Sequence, residues 1–183
     1  NYPIPNRIRN EILALCTPGD NEIERMKRLD RQMGALFAEA VLTHIKEQGL
    51  TSNDIAAIGS HGQTIRHQPD SDPAFSLQIG DPSTMAEMTG ITTVADFRQR
   101  DIAAGGQGAP LLPLFHQENL LQDKGDLVLN IGGIANISYI NPTTNLLEGF
   151  DTGPGNLLMD YWVNKHRDFP FDKNGEWANT GTT

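Results

Sequence analysis

Cysteine is nearly absent from this sequence, since Cys16 is the only one among 183 residues. One cysteine excludes an internal disulfide and any metal site built from several cysteines. The five histidines are scattered, and none pairs with another at a metal-ligand spacing, so we predict no metal site made by side chains. A reducing, cytoplasmic setting is the natural interpretation of this cysteine content, although an exported protein can also hold one cysteine.

Positive charge is also scarce, because 14 Lys and Arg face 23 Asp and Glu and the formal net charge is −9. Phosphate backbones and acidic lipids attract basic surfaces, so this balance argues against non-specific binding to nucleic acid or to an anionic membrane. Long apolar runs are missing as well, and none could span a bilayer. We therefore predict that neither nucleic acid nor a membrane is a partner.

Several short signatures of known enzyme classes do not occur. The pattern G-x-x-x-x-G-K-[ST] is missing, which excludes a P-loop protein, and G-x-S-x-G and H-E-x-x-H are missing too. The segment GGQGAP at residues 105–110 is glycine-rich, but no clear strand leads into it and the third glycine is absent. The dinucleotide-binding fingerprint therefore fails.

What remains suits a folded globular protein, with 38% hydrophobic and 20% charged residues. From about Asn21 to Gln48, apolar residues recur at spacings of three and four, which predicts one long helix closed by Gly49. Shorter helices are predicted at PNRIRNEILALC, after a cap at Asp81 or Ser83, and at APLLPLFHQENLLQ. Strands are predicted in DIAAIGSHGQT, AFSLQIG and ITTVADF. This alternation of strands and helices is typical of an α/β layered fold.

The pattern changes after Lys124, where three predicted strands follow one another with short turns. These strands are DLVLNIG, ANISYIN and NLLEGFDTG, and a helix is predicted to begin near Pro154. A meander followed by a helix is a new folding unit. The sequence therefore predicts two lobes, residues 1–123 and residues 124–183, with a boundary near Gln122–Gly125.

Two glycines stand where one predicted strand turns into the next, in LNIGGIANIS. Gly132 and Gly133 have no Cβ, so their backbone can approach a bulky anion and direct N–H groups toward it. An ordinary glycine β-turn is the competing interpretation. For this motif taken alone, the β-turn is the one we favour.

The segment FDTGPGN places one carboxylate, Asp151, at the end of a predicted strand and just before a predicted helix. Gly153 and Gly155 would leave amides exposed there, Pro154 suits an early helical position, and the helix dipole favours an anion. Asp151 is then either a helix cap or a general base that takes a proton from a hydroxyl or a water. A base beside a phosphate-binding turn indicates phosphoryl transfer, which depends on positioning and charge stabilisation.

The densest group of cations lies in DFRQRDIAAGGQGAP, where Asp96 and Asp101 flank Arg98 and Arg100. A solvated network of surface ion pairs is one interpretation. The other is that one arginine forks onto a carboxylate or phosphate of a substrate while the aspartates fix its orientation. The glycines that follow suit a binding loop.

The segment SHGQT, residues 60–64, ends a predicted strand and offers two further polar side chains. His61 and Gln63 could donate hydrogen bonds to sugar hydroxyls. A lone histidine is, however, more often structural than ligand-binding.

Four segments in this order resemble the anhydro-N-acetylmuramic acid kinase family: GSHGQTIRHQP, LQIGDPSTMAEMTGITTVADFRQRDIAAGGQGAPLLPLFH, LNIGGIANIS and GFDTGPGNLLMDYW. The resemblance runs from the first helix nearly to the last residue. It implies a place in the sugar kinase and actin-like superfamily, with a ribonuclease-H-like, two-lobed α/β fold that closes over ATP. It also implies that ATP with Mg²⁺ is the phosphoryl donor and that the intact protein is a cytoplasmic homodimer.

The activity implied by the resemblance belongs to the recycling of cell-wall peptidoglycan. Water opens the 1,6-anhydro ring of anhydro-N-acetylmuramic acid, and O6 is phosphorylated, which gives N-acetylmuramic acid 6-phosphate. Asp151 matches the catalytic aspartate that activates the water, and Arg100 matches an arginine of the substrate site. Gly132 and Gly133, with Asn130, match a phosphate loop of the superfamily. Asn130 stands where other branches have Asp, which weakens any role for it in holding Mg²⁺ through water.

The predicted site residues form three sets. Asp151 is the predicted catalytic residue. The predicted substrate-binding residues are Arg100, Asp101, His61 and Gln63. The predicted residues for the phosphates of ATP are Asn130, Gly132, Gly133, Gly153 and Gly155.

The chain departs from the family pattern at its two ends. The first strand with its G-T-S-x-D-G-x-D phosphate loop is absent, and so is the later adenosine-binding glycine motif. We therefore expect this chain to be roughly the middle half of a longer enzyme, to be inactive alone and to expose unpaired backbone and apolar surface.

Two other functions stay open at this point. The first is a non-catalytic module that binds a muropeptide sugar. The second is a glycosidase-like hydrolase, in which Asp151 and a second carboxylate, such as Asp101 or Glu148, flank the glycosidic bond.

Overall fold

The computed structural model describes residues 2–121 and 126–182. The chain forms two compact units, Asn1–Ala109 and Pro110–Thr183. The predicted lobe boundary, near Gln122–Gly125, lies outside the described residues. The division into lobes of residues 1–123 and 124–183 therefore stays a prediction.

The first unit has mixed α/β structure with two small sheets. Its helices are α1 (Asn6–Leu15), α2 (Glu22–Glu47), α3 (Pro82–Thr89) and α4 (Phe97–Ala103), with a short 3₁₀ turn at Ser52–Asp54. Its strands are β1 (Ile58–Gly59), β2 (Gln63–Gln68), β3 (Phe75–Ile79) and β4 (Thr93–Val94). Strand β1 pairs with β4 in parallel, and β2 pairs with β3 antiparallel.

The long helix predicted from the apolar stripe is confirmed as α2, which ends at Glu47, and Gly49 follows with a φ of 71°. Its apolar face packs with α1 and with the hairpin of β2 and β3. The buried residues of this core are Ile8, Ile12, Leu15, Leu29, Met33, Ile65 and Ile79. Burying an apolar side chain of this size contributes about 1.5–3 kcal/mol, so this cluster is the main source of stability in the unit.

Helix α2 also holds the turn that follows β3. The carboxylate of Asp30 accepts a hydrogen bond from the Gly80 amide at 2.8 Å, and the Asp30 carbonyl accepts one from the Asp81 amide at 3.1 Å. Gly34 allows this close approach, because a Cβ there would lie 2.6 Å from the Asp81 carbonyl oxygen. The turn that begins α3 is thereby fixed against α2.

Asp81 is the N-cap of α3, which settles the predicted alternative between Asp81 and Ser83. Its carboxylate accepts hydrogen bonds from the Ser83 amide at 3.2 Å, from the Thr84 amide at 3.3 Å and from the Thr84 hydroxyl. The hydroxyl bond is the main cause that lowers the pKa of Asp81 below its ordinary value of 3.8. The charged form is therefore the one that stabilises the helix.

Replacing Asp81 with alanine should lower the free energy of unfolding by about 1 kcal/mol at pH 7, because two amides of α3 lose their acceptor. Ser83→Ala is the matched control and should leave stability within about 0.5 kcal/mol. Urea unfolding at several pH values tests this. Since the folded pKa is depressed, the stabilisation is complete above pH 3.8 and lost as the pH falls further. A difference between the wild type and Asp81→Ala that stays constant from pH 7 to pH 3 would contradict the assignment.

The second unit combines one antiparallel sheet with two helices in its described part. Helix α5 (Leu112–Asn119) precedes strands β5 (Leu127–Ile131), β6 (Ile134–Ile140) and β7 (Leu147–Pro154), and helix α6 (Leu157–Arg167) follows them. Two 3₁₀ turns, Lys173–Gly175 and Ala178–Thr180, come after α6. The strands are arranged in the order β5–β6–β7, which confirms the predicted three-strand meander.

The two faces of this sheet differ in character. Leu127, Leu129, Ile131 and Phe150 share one face, and each is at least half exposed. The opposite face carries polar residues and the contacts with α5, and it holds the candidate site.

Some local expectations were wrong. Helix α4 was not predicted, and neither was strand β2 as a separate strand after the turn at Gly62. The strands predicted in DIAAIGSHGQT and ITTVADF are only two residues long, at β1 and β4. The last predicted helix begins at Leu157 and not near Pro154, which is the final residue of β7. Of the helices in the described residues, none has the length and apolar character to cross a bilayer.

Candidate active site

Two parallel strands, β1 and β4, end at one edge of their sheet in the first unit. The Ser60 amide donates to the Val94 carbonyl at 2.8 Å, after which one chain segment turns through His61. The segment after β4 turns at Asp96, which has a left-handed φ of 61°. His61 and Asp96 both line a small cleft at this edge. The carboxyl ends of parallel strands are a common place for ligand-binding groups in α/β proteins.

Arg98 of α4 makes the most specific contacts at this edge. Its Nε donates to Nε2 of His61 at 2.8 Å, and its Nη1 donates to the Gly108 carbonyl at 2.6 Å. Nδ1 of His61 lies 2.8 Å from the Gly62 carbonyl, so both ring nitrogens of His61 are engaged. A role for His61 as a donor to a sugar hydroxyl stays a prediction, and it requires one of these bonds to open.

The other predicted substrate-binding residues of the first unit have different surroundings. The Asp101 carboxylate accepts a hydrogen bond from the Gly108 amide at 2.7 Å and so supports the glycine loop. The Gln63 amide group donates to the neighbouring Thr64 carbonyl at 3.0 Å. The Arg100 side chain is exposed and makes no hydrogen bond or ion pair within the described part of the chain. Of the set, Arg100 is therefore the one with a free charged group.

In the second unit, three polar residues form one row across the sheet. Asn130 of β5 pairs with Asn136 of β6, and Asn136 pairs with Asp151 of β7. Directly paired residues point to the same face of a sheet and have their Cβ atoms about 4.5–5.5 Å apart. None of the three side chains makes a hydrogen bond within residues 2–121 and 126–182. These two carboxamides and one carboxylate are therefore available for hydrogen bonds to a ligand or to water.

A β-bulge follows Asp151 in this row. The register of β6 and β7 shifts between Ala135 and Asn136, so that Thr152 is the extra residue. The Thr152 hydroxyl donates to the Ala135 carbonyl at 3.1 Å, and Gly153 has a φ of 136°. Bulges are frequent beside active sites, where they redirect a side chain.

The predicted position of Asp151 at a helix entrance was wrong. Asp151 lies inside β7, and α6 starts six residues later, at Leu157. The helix dipole acts over about one turn, so it does not reach Asp151. The helix-cap interpretation also fails, because the N-cap residue of α6 is Asn156. The Asp151 side chain is exposed, and the register pairs Ala135–Gly153 and Ile134–Pro154 lie between it and the hairpin tip at Gly132 and Gly133.

The hairpin tip and the connection to α6 are bonded together. The amides of Gly155, Asn156 and Leu157 donate to the carbonyls of Gly133 and Gly132, at 2.9, 2.8 and 3.2 Å. The prediction that the Gly155 amide is exposed is therefore wrong, because this amide already donates to the Gly133 carbonyl. The amides of Gly132 and Gly133 themselves donate to nothing in the described residues. They are the amides that stay available to an anion.

Helix α5 covers the adjoining part of the same face. Nδ1 of His116 lies 2.9 Å from the hydroxyl of Ser138, and both residues are buried. Ser138 pairs with Gly149, where a Cβ would collide with Pro113 of α5. Since residues two apart on a strand share a face, Asn136 and Asp151 continue this face toward the hairpin tip. The polar row therefore adjoins a tightly packed part of the sheet.

The second carboxylate of β7 belongs to the other face. Glu148 accepts hydrogen bonds from the Tyr139 hydroxyl and, at 2.7 Å, from the Asn141 amide group. The Tyr139 bond is the larger cause that lowers the pKa of Glu148, and the Asn141 bond adds to it. Asp151 and Glu148 are three residues apart on one strand, so they point to opposite faces. This pair cannot flank one glycosidic bond.

Two residues of these sites were missed by sequence reasoning. Arg98 was considered together with Arg100 but was not chosen, because its partners lie 37 and 10 residues away in sequence. The sequence analysis also missed Asn136. Deriving the register of the hairpin from LNIGGIANIS would have placed Asn136 opposite Asn130. The strand alternation in that segment was the available signal.

Comparison with known proteins gives the family. A sequence model of anhydro-N-acetylmuramic acid kinase matches residues 1–183. The chain belongs to the anhydro-N-acetylmuramic acid kinase family. The resemblance identified from the four sequence segments is thereby confirmed.

Similar members of the anhydro-N-acetylmuramic acid kinase family are found in Shewanella. The kinase of Shewanella putrefaciens strain CN-32 is 53% identical over 181 residues, which cover 98% of this chain and 49% of the relative. The kinases of Shewanella sp. strain W3-18-1 and of Shewanella oneidensis are 52% and 51% identical over the same shares of both chains. The chain spans about half the length of the curated relatives it matches.

Proposed function

We propose that the intact protein containing this chain is an ATP-dependent kinase that opens the 1,6-anhydro ring of anhydro-N-acetylmuramic acid and phosphorylates O6. The product is N-acetylmuramic acid 6-phosphate, and the role is peptidoglycan recycling in the cytoplasm. Family membership supports a kinase of this substrate. The observation that carries the proposal is the row Asn130, Asn136 and Asp151. Within the described residues, these side chains have no hydrogen-bond partner, and the amides of Gly132 and Gly133 at the nearby hairpin tip have none either.

In the proposed reaction, the Asp151 carboxylate takes a proton from a water molecule. The water oxygen bonds to the anomeric carbon, the bond from that carbon to O6 breaks, and O6 bonds to the γ-phosphorus of ATP as ADP leaves. Asp151 is exposed and makes no hydrogen bond through its side chain to the described part of the chain, so its carboxylate can accept this proton directly. General-base catalysis of this kind accounts for about 10²–10⁴-fold in rate.

The phosphate-binding part of the proposal rests on the hairpin tip. The amides of Gly132 and Gly133 would donate to phosphate oxygens of ATP, while their carbonyls hold the start of α6 in place. The carboxamides of Asn130 and Asn136 would orient the phosphoryl group or the attacking water. Gly153, which follows the bulge residue Thr152, is kept as a proposed phosphate-binding residue. Gly155 instead supports the hairpin tip, because its amide donates to the Gly133 carbonyl.

Mg²⁺ fits this site only when it is bound together with ATP. Within the described residues, no group of three or more His, Cys, Asp and Glu side chains could hold a metal ion. Mg²⁺ is commonly bound by substrate phosphates, waters and only one or two protein oxygens, and the carboxamide oxygen of Asn130 could supply one. When bound, the ion would neutralise charge on the phosphates.

The substrate-binding part of the proposal assigns the sugar's carboxylate to Arg100. This guanidinium is exposed and has no partner in the described part of the chain, and a fork of N–H groups matches a carboxylate. We also propose that the intact protein has the two-lobed, ribonuclease-H-like fold of its superfamily and acts as a homodimer.

Incubation of the intact protein with ATP, Mg²⁺ and anhydro-N-acetylmuramic acid tests the function. We expect ADP and sugar product in equal amounts, with a product mass that exceeds the substrate by one water and one phosphoryl group. The 183-residue chain assayed alone should give no turnover.

Three outcomes would contradict this proposal. Product that has gained only water would indicate a hydrolase. Calorimetric binding of the sugar without any product would indicate a non-catalytic binding module. Turnover by the isolated chain at the rate of the intact protein would refute the expectation that this chain is insufficient.

A further inference from the structure

The guanidinium of Arg98 makes two hydrogen bonds within its own unit. One side donates to His61 at 2.8 Å and another to the Gly108 carbonyl at 2.6 Å. The group is partly buried, and this desolvation lowers the pKa of Arg98. An arginine held in this way, through Nε and Nη1, fixes the positions of His61 and Gly108.

The bond from Arg98 also fixes the state of His61. An arginine side chain carries donors and no acceptor, so Nε2 of His61 must accept with its lone pair. The ring proton then resides on Nδ1, where it donates to the Gly62 carbonyl at 2.8 Å. His61 is thereby held as the neutral Nδ1–H tautomer, with its ring plane set by two bonds.

Gly108 is held on both of its backbone groups by α4. Its amide donates to the Asp101 carboxylate at 2.7 Å, and its carbonyl accepts from Arg98 at 2.6 Å. Gly108 is buried and has a φ of 74°, which favours glycine. The loop 105–108 is therefore clamped to the helix that also carries Arg100.

The two arginines of α4 point in different directions. Residues two apart on a helix are about 200° apart around its axis and do not face each other. Arg98 faces His61 and the glycine loop, whereas Arg100 is exposed. Arg98 therefore serves contacts inside the unit, whereas the guanidinium of Arg100 has no partner among the residues that the structure describes.

We propose that Arg98 is a positioning residue, which holds His61 and the loop 105–108 in the arrangement that lets Arg100 bind the carboxylate of the sugar. This inference rests on the proposed function for its substrate. It assigns Arg98 no contact with substrate or with ATP.

The first test measures the state of His61 in the intact protein without any substrate. Nitrogen chemical shifts of the His61 ring should report a non-protonated Nε2 in the wild type. In Arg98→Ala, the shifts should move toward a mixture of tautomers. Gln99→Ala changes an exposed neighbour on the same helix and should leave the shifts unchanged. Identical His61 shifts in the wild type and Arg98→Ala would overturn the proposal.

The second test is kinetic. Arg98→Ala should lower kcat/KM for the sugar by about 10–100-fold, mainly through KM, and leave KM for ATP unchanged. Arg98→Lys should recover only part of this loss, because a single ammonium cannot serve both acceptors in the same geometry. The double variant with His61→Ala should cost no more than the larger single change, since both remove one contact.

The outcomes separate this inference from the function on which it rests. Full recovery by Arg98→Lys, or losses from Arg98→Ala and His61→Ala that simply add, would overturn the positioning role. If the wild type phosphorylates no sugar while the His61 shifts still respond to Arg98→Ala, the proposed function is wrong and the Arg98 contact stands.

Discussion

Asp151→Asn in the intact protein is expected to lower formation of the phosphorylated sugar by about 10²–10⁴-fold, because the carboxamide cannot take the proton of the attacking water. The shape of the side chain is kept, and the carboxylate makes no hydrogen bond in the described structure whose loss would unfold the strand. Nucleotide binding should therefore persist. Product formation is measured with a coupled ADP assay, and binding of ATP is measured by calorimetry.

Glu148→Gln provides the matched control for this change. It alters a carboxylate of the same strand that lies on the opposite face and is bonded to Tyr139 and Asn141. We expect turnover within a few-fold of the wild type. An Asp151→Asn protein that turns over at the wild-type rate would refute the base assignment. An Asp151→Asn protein that no longer binds ATP would mean that Asp151 serves the nucleotide site instead.

Gly155→Ala is expected to destabilise the intact protein and to reduce its activity. A Cβ at this position would collide with the Gly132 carbonyl oxygen, which is backbone and cannot rotate away. Either the hairpin tip or the start of α6 must then move, and the bonds from Gly155 and Asn156 to the tip would lengthen. Overpacking of this kind costs about 1–3 kcal/mol.

Urea unfolding and the coupled assay together measure this effect. Gly133→Ala is the control for stability, because its added Cβ would meet its nearest neighbours at 3.9 Å, an ordinary contact distance. We expect Gly155→Ala to unfold at lower urea concentration than Gly133→Ala. Equal stability of the two variants would contradict the close approach of residues 132 and 155.

Local periodicity was enough to predict the long helix and the meander. Helix α2 has a stripe of apolar residues over 26 positions. A periodic pattern of this length predicts a helix without any knowledge of distant contacts. The strands β5, β6 and β7 were recognisable from β-branched residues and glycine or Asn-Pro turns. In both cases the neighbouring residues in sequence determine the structure.

The predictions failed where distant partners decide the structure. Helix α4 has only seven residues, and its surroundings are set by the bonds of Arg98 and Asp101 to the loop and to His61. The Gly-Pro-Gly segment after Asp151 is typical of a helix start, but pairing with β6 extends β7 to Pro154. Proline is tolerated at the end of a strand, so this pairing outweighs the local preference.

The candidate site was predicted in its residue types better than in its geometry. Asn130 and Asp151 both pair with Asn136 in one row of the sheet, and the two glycines lie at the turn between β5 and β6, while their roles stay predictions. Asn136 was missed because its position opposite both Asn130 and Asp151 follows only from the register. The hydrogen bond from the Gly155 amide to the hairpin tip was also missed, because it too follows only from the register.

The extra residue at Thr152 gives β7 a strict requirement for length. Ahead of the bulge, the strand alternation directs Asp151 to the polar face, and behind it the register brings Gly153 opposite Ala135 and Gly155 onto the tip. Removing or adding one residue here would displace one of these two alignments by a full step. An insertion or deletion here is therefore expected to be more damaging than replacing an exposed side chain such as that of Phe150.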